Sequence, residues 1–201
     1  MIIFKKLKLT RMKAKIHVLF VLALFLIINA CANYKPQYKN QNTNSIFPNK
    51  EIAHSFYLIG DAGNSSIGTS SKALQAFRAE LEKASKNSTA IFLGDNIYPK
   101  GLPKKEEEGR GFAEHQLNVQ TDAVKGFKGD AIFIPGNHDW YSDGLKGLKR
   151  QEKYIENKLG KNTFLPENGC PIEKVNISDE IVMIVVDSEW YLADWGKHPT
   201  I

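Results

Sequence analysis

The sequence predicts an α/β fold in which strands alternate with helices. Three short apolar runs are typical of strands: 55–59, 89–93 and 131–134. Each is followed by a segment long enough to form a helix and return the chain to the next strand. Apolar residues make up 42% and charged residues 24% of the 201 residues, which is the balance of a globular protein and not of a disordered chain.

Helical periodicity is expected between these strands. Ser70 or Ser71 can cap a first helix, and a second is expected around Phe112–Val124. The first helix places its apolar side chains on one face: Leu74, Phe77, Leu81 and Ala84. A third helix is marked by Leu145, Leu148, Glu152, Ile155 and Leu159.

The chain then predicts a hairpin from residues 175–177 and 181–186, with Ser178–Glu180 at its turn. The three earlier runs are continuously apolar, as strands buried on both sides are. We therefore expect the sheet to be covered on both faces.

Residues 1–30 predict an export signal. Six basic side chains and no acidic one accompany an apolar run, Ile16–Ala30, that is shorter than the roughly 20 residues of a membrane span. The run meets Cys31 directly after a small residue, which resembles the lipobox of bacterial lipoproteins. We expect an exported, membrane-anchored lipoprotein, lipidated on Cys31, on the periplasmic or cell-surface side. An ordinary cleaved signal and an uncleaved N-terminal anchor are the alternatives.

The positive charge of the chain lies in this leader. The net charge is +5, but without the six basic side chains of residues 1–30 the chain has 21 basic and 22 acidic residues. No overall field would draw the mature protein to nucleic acid, and no nucleic-acid partner is expected. Residues 31–51 are rich in Asn, Gln and Lys without periodicity, which predicts a flexible tether ahead of a folded domain over residues 52–201.

Side chains that can bind metal ions follow all three predicted strands. Asp61 follows the first, Asp95 the second, and Asn137-His138-Asp139 the third. Because parallel strands end at the same edge of a sheet, we expect these residues to meet where open α/β sheets bind their ligands. Taken alone, Asp61 is more typical of a turn or a helix cap, so the prediction depends on the three positions together.

These segments resemble the first three motifs of the calcineurin-like metallophosphoesterases. They read Gly60-Asp61-Ala62-Gly63, Gly94-Asp95-Asn96-Ile97-Tyr98 and Gly136-Asn137-His138-Asp139. Gly63 stands where most of that superfamily has histidine, and Tyr98 matches a tyrosine of the second motif, which is the pattern of the purple acid phosphatase branch. The resemblance covers about residues 56–186. It implies a layered α/β/β/α sandwich, of which residues 52–201 would be the N-terminal part, incomplete at the C-terminus.

The resemblance also implies a centre of two metal ions. Asp61 would bind the first ion, Asp95 would bridge both, Tyr98 would ligate the first as a phenolate, and Asn137 would offer its amide oxygen to the second. A phenolate favours iron, paired with Fe, Zn or Mn. Without the family pattern, Tyr98 before Pro99 could equally pack under a loop.

The implied activity is that of a metal-dependent phosphoric ester hydrolase, similar to an acid phosphatase, in which the metal pair activates water for in-line attack on phosphorus. His138 would face the phosphate ester substrate and stabilise the phosphoryl group or protonate the leaving oxygen. Asp139 would orient His138 from behind.

Two later histidine motifs of that family, one at a strand end and one Gly-His-x-His, do not occur in this sequence. His198 follows no apolar strand and is not expected to replace them. We therefore expect an N-terminal part of a longer protein that exposes apolar surface and is inactive without histidines beyond Ile201. The alternative is a truncated or degenerate, non-catalytic lipoprotein that binds phosphate-bearing ligands or a surface partner. A nucleotide-binding domain is disfavoured because no phosphate-loop spacing is present.

Overall fold

The computed structural model describes residues 51–197. The predicted leader, Cys31 and the predicted tether up to residue 50 lie outside the described residues, as does His198. Within the described part of the chain, no helix is long and apolar enough to cross a membrane.

Five strands and five α-helices make up the described residues. The strands are β1 (Ser55–Ile59), β2 (Ser88–Leu93), β3 (Asp130–Ile134), β4 (Ile172–Asn176) and β5 (Val182–Val186). The helices are α1 (Lys72–Leu81), α2 (Arg110–Ala123), α3 (Asn137–Trp140), α4 (Gly144–Leu159) and α5 (Ser188–Leu192). Two single 3-10 turns lie at Glu167–Gly169 and Trp195–Lys197.

The first three strands form a parallel sheet in the order β1-β2-β3. Helix α1 connects β1 to β2 and α2 connects β2 to β3, so the chain makes two successive β-α-β units. The register aligns Ile59 with Phe92 and Phe92 with Phe133. This confirms the predicted mixed α/β class and brings the three strand ends to one edge.

One face of this sheet is the core of the domain. Phe92 and Phe133 are fully buried with their rings stacked at a centroid distance of 4.0 Å, and Phe77 of α1 meets Phe92 edge-on. Helix α1 begins at the predicted cap, because the Ser71 hydroxyl accepts a hydrogen bond from the Leu74 amide at 3.2 Å. Leu74, Leu117, Leu148 and Ile155 from the three long helices complete the core.

The second face is covered only in part. Ile132 of β3 packs with Leu165 and with Val185 of the hairpin β4–β5. Phe56 and Leu58 of β1 lie on the same side of the sheet and remain 41% and 57% exposed. The expectation of full cover on both faces is therefore wrong for the described residues, and the expected exposure of apolar surface is present.

The first strand of the hairpin is longer than the sequence predicted. Strand β4 begins at Ile172, which pairs with Val186, and not at residue 175. The alternation of Ile-Glu-Lys-Val-Asn over this strand gives it one inward and one outward face. Four exposed apolar side chains lie on the hairpin, one on β4 and three on β5: Ile172, Val182, Ile184 and Val186.

Candidate metal centre at the strand ends

The exits of β1 and β2 share an unusual backbone conformation. Asp61 and Asp95 each lie beyond the last residue of a strand and have φ values of 54° and 52°. The left-handed region is uncommon for residues other than glycine, and aspartate tolerates it better than most. Two strained residues in equivalent positions at one sheet edge are typical of a functional site.

Tyr98 joins these two aspartates. Its hydroxyl oxygen lies 2.5 Å from Asp61 Oδ1 and 2.8 Å from Asp95 Oδ2. Burial raises the pKa of Tyr98, and hydrogen bonds to the two carboxylates raise it further. One phenol proton therefore serves two carboxylates at hydrogen-bond distance, and a neutral phenol can donate to only one of them at a time.

The backbone packs so closely around Asp95 that neither Gly63 nor Gly136 has room for a side chain. An added Cβ at Gly63 would lie 2.5 Å from the carbonyl of Asn96, and at Gly136 it would lie 2.4 Å from both the amide nitrogen and Oδ1 of Asp95. The Gly63 amide donates to the Asp95 carbonyl at 3.1 Å, and the His138 amide donates to Asp95 Oδ1 at 3.1 Å. The three strand exits are thus held together by direct backbone contact.

Asn137 begins α3 immediately beyond β3. Its side-chain amide nitrogen donates to the Tyr141 hydroxyl at 2.5 Å, which leaves the amide oxygen available as an acceptor or a ligand. Asn137 and Asp95 line the same cavity of about 520 Å³. The structure therefore brings this predicted ligand to the side of the site that Asp95 faces.

His138 lies next to Tyr98, and its amide donates to Asp95. Its Nδ1 is 2.8 Å from the carbonyl oxygen of Pro99, which can only accept, so Nδ1 carries a proton. The ring lies between Tyr98 and Tyr141, with centroid distances of 4.4 and 5.0 Å. With Nδ1 engaged and the ring held on two sides, Nε2 is the nitrogen free to exchange a proton.

Asp139 does not orient the His138 ring, contrary to the expectation from sequence. It is fully buried, and its Oδ2 accepts from the amides of Gly136 and Asn96 at 2.8 and 3.2 Å. Its Oδ1 accepts from the Gln151 side chain at 3.0 Å. Asp139 therefore fixes the backbone of the β2 and β3 exits, because the two backbone amides that donate to Oδ2 belong to those loops.

Burial raises the pKa of Asp139 to about 6. The hydrogen bonds from Gly136, Gln151 and Asn96 act in the opposite direction, since they favour the ionised carboxylate. These hydrogen bonds therefore partly offset the cost of burying the Asp139 carboxylate.

The donor set suits a hard metal ion. Asp61, Asp95, Tyr98 and Asn137 offer carboxylate, phenol and amide oxygens, which bind iron, manganese and similar ions. Among residues 51–197 no three His, Cys, Asp or Glu side chains form a ready-made metal site, and here the third donor is a phenol. A cation taking the place of the phenol proton would interact with both carboxylates at once, so the residues fit the group that the sequence motifs imply.

Comparison with known proteins identifies no relative of this chain. The chain matches no family model, no curated protein and no solved structure. The resemblance to metallophosphoesterases therefore rests on the three sequence motifs.

Sequence analysis missed several residues that shape this region. Asn96 and Gln151 are fully buried and hold Asp139, and Asp187 accepts a hydrogen bond from the Trp140 indole at 3.0 Å. Asp187 follows the end of β5 in the way that Asp61 follows the end of β1. This position at a strand end was the sequence feature that could have identified Asp187. The sequence feature for Gln151 is weaker: it is a polar residue on the buried face of α4, between Leu148 and Ile155.

Proposed function

We propose that this chain carries metal-binding residues of a metal-dependent phosphoric ester hydrolase, similar to the acid phosphatases of the purple branch. The observation that carries the proposal is the shared hydroxyl of Tyr98, which lies at hydrogen-bond distance from the aspartates at two separate strand ends. The same proposal includes a specific fold, the layered α/β/β/α metallophosphoesterase sandwich. It is supported by a helix layer on one face of the parallel sheet and a β-hairpin against part of the other.

Asp61, Asp95, Tyr98 and Asn137 would hold two metal ions, iron with Fe, Zn or Mn. When bound, the ions would supply positive charge that lowers the pKa of water and offsets the charge of the phosphoryl group. The protein contributes ligands fixed in advance, because Asp95 is bonded to the His138 amide and its backbone contacts Gly63. Tyr98 would have to lose its proton to ligate a metal ion, so the affinity for the ion would rise with pH.

His138 would act on the phosphate ester through Nε2. Since Nδ1 donates to the Pro99 carbonyl, Nε2 is the ring nitrogen that would exchange a proton with the leaving oxygen. The rings of Tyr98 and Tyr141 restrict the imidazole to one orientation. Asp139 supports this arrangement indirectly, as a positioning residue for the loops that carry Asp95 and His138.

The same proposal includes export. A lipoprotein signal over residues 1–30 with lipidated Cys31 would place the enzyme on the periplasmic or cell-surface side of a bacterial membrane. Mass spectrometry of the mature N-terminus tests this directly. A diacylated Cys31 supports it, and an unmodified N-terminus beginning elsewhere contradicts it.

The test of activity is hydrolysis of p-nitrophenyl phosphate by the product of the complete reading frame, after loading with iron and zinc. We expect turnover that a chelator removes, and a decrease of at least about 100-fold in kcat for His138→Ala. Asp95→Asn should lose bound metal and turnover together. Asp179→Asn, in the exposed hairpin turn, is the matched control and should behave like the wild type.

Metal-dependent turnover that is unchanged in both Asp95→Asn and His138→Ala would contradict the assignment of the site. Binding of phosphate without any turnover would instead favour the non-catalytic alternative. Sequencing the reading frame past the codon for Ile201 tests the separate prediction that further histidine ligands follow.

A further inference from the structure

A cavity of about 520 Å³ extends from the candidate metal centre to helix α5. Asp95, Asn137 and Tyr141 line it on the side of the centre. On the opposite side α5 contributes Ser188, Glu189 and Leu192. The alcohol part of a phosphate ester would extend into this space if its phosphate were bound by metal ions held at Asp95 and Asn137.

Helix α5 is held in a fixed orientation toward the cavity. Asp187 caps it by accepting from the Trp190 amide at 3.2 Å. Trp190 packs on Trp195 at a centroid distance of 4.5 Å, and the Trp195 indole donates to the Trp190 carbonyl at 2.8 Å. Trp190 does not line the cavity, whereas its neighbour Glu189 does.

The cavity is acidic. Two carboxylates line it, Asp95 and Glu189, and no Lys, Arg or His is among its described lining residues. Glu189 is half-buried, and within residues 51–197 its carboxylate has no hydrogen-bond or ion-pair partner. Asp95 is already engaged by Tyr98 and His138, so Glu189 is the carboxylate left to interact with a ligand.

We propose that Glu189 selects phosphate monoesters whose alcohol part carries an ammonium group. This inference rests on the proposed function. An unpartnered carboxylate in a cavity without basic side chains attracts cations and disfavours a second anion. Tyr141 and Leu192, which are 52% and 76% exposed, provide apolar surface for a short methylene chain between phosphate and ammonium. The Tyr141 ring can also face the cation.

The test compares two substrates of the same size, O-phosphoethanolamine and n-propyl phosphate, which differ in an ammonium group against a methyl group. Rates are measured with the metal-loaded product of the complete reading frame. We expect kcat/KM to favour phosphoethanolamine by about fivefold or more, and Glu189→Gln to bring the ratio close to one. The kcat/KM for propyl phosphate should not fall in that variant, because the substitution removes a carboxylate that disfavours anions. Glu180→Gln, an exposed acid in the hairpin turn, controls for net charge.

Each outcome separates the inference from the proposed function. Hydrolysis of p-nitrophenyl phosphate with equal kcat/KM for the two small esters, or with neither hydrolysed, overturns the inference and leaves the proposed function standing. A preference for phosphoethanolamine that persists in Glu189→Gln overturns the role of Glu189. Failure to hydrolyse any of the three esters overturns the proposed function, and the inference falls with it.

Discussion

The hydroxyl of Tyr98 lies 2.5 Å from Oδ1 of Asp61, although 37 residues separate them in the chain. The contact crosses from the exit of β2 to the exit of β1. It exists because the strands are parallel and adjacent, so that their ends meet at one edge. The same hydroxyl lies 2.8 Å from Oδ2 of Asp95, so Tyr98 brings the carboxylates of two separate strand ends together.

Gly63→Ala should destabilise the protein by about 1–3 kcal/mol, because the added methyl group would overlap the carbonyl of Asn96. Gly60→Ala is the matched control three residues earlier. Its Cβ would meet nothing within 4 Å, and its effect should stay within about 0.5 kcal/mol. Urea unfolding of both variants measures the difference. Equal midpoints would show that the loop does not approach Asn96 as described.

Asp139→Ala should destabilise the fold by several kcal/mol, since it leaves the buried donors of Gly136, Asn96 and Gln151 without an acceptor. Asp139→Asn should recover most of this loss. The Gln151 side-chain oxygen has no partner, so a rotated Gln151 amide can accept from the new Asn side chain. Chemical unfolding at pH 7 compares the two variants, and equal losses would contradict the donor network.

The buried carboxyl group of Asp187 should make the free energy of unfolding depend on pH. Burial raises its pKa to about 6, so the folded state binds this proton more tightly than the unfolded state does. The stability of the wild type relative to Asp187→Asn should therefore fall by up to about 3 kcal/mol as the pH rises from 4 to 7, and then level off.

Unfolding at intervals across this pH range gives the measurement for Asp187. Asp179→Asn, at an exposed carboxylate in the hairpin turn, should give a nearly constant difference from the wild type. A relative stability of Asp187→Asn that is constant with pH, or that changes in the opposite direction, would contradict the burial of this acid.

The strands and their ends could be predicted because local sequence determines them. Continuous apolar runs marked β1, β2 and β3, and Ser71 with Leu74 marked the start of α1. Once the strands were predicted as parallel, the grouping of Asp61 and Asp95 followed from topology alone.

The hydrogen-bond partners could not be predicted in the same way, because they depend on side chains brought together by tertiary packing. Asp139 lies next to His138 in sequence, yet its carboxylate turns away toward Gln151 of α4. His138 is oriented by the Pro99 carbonyl, which carries no sequence signal of its own. The second sheet face was predicted as covered because an apolar run indicates burial without indicating which element provides it.

The most direct test of the metal centre is the affinity of the product of the complete reading frame for Zn²⁺ and Mn²⁺. It is measured by competition with a chromophoric chelator for three proteins: the wild type, Tyr98→Phe and Tyr154→Phe. Tyr154 is the matched control, since its hydroxyl also donates a hydrogen bond, to Asn118 at 2.7 Å, but lies outside the strand-end cluster. We predict that the wild type and Tyr154→Phe bind equally and that Tyr98→Phe binds at least about tenfold more weakly. Equal affinity in all three proteins, or no binding by the wild type, would contradict the centre proposed here.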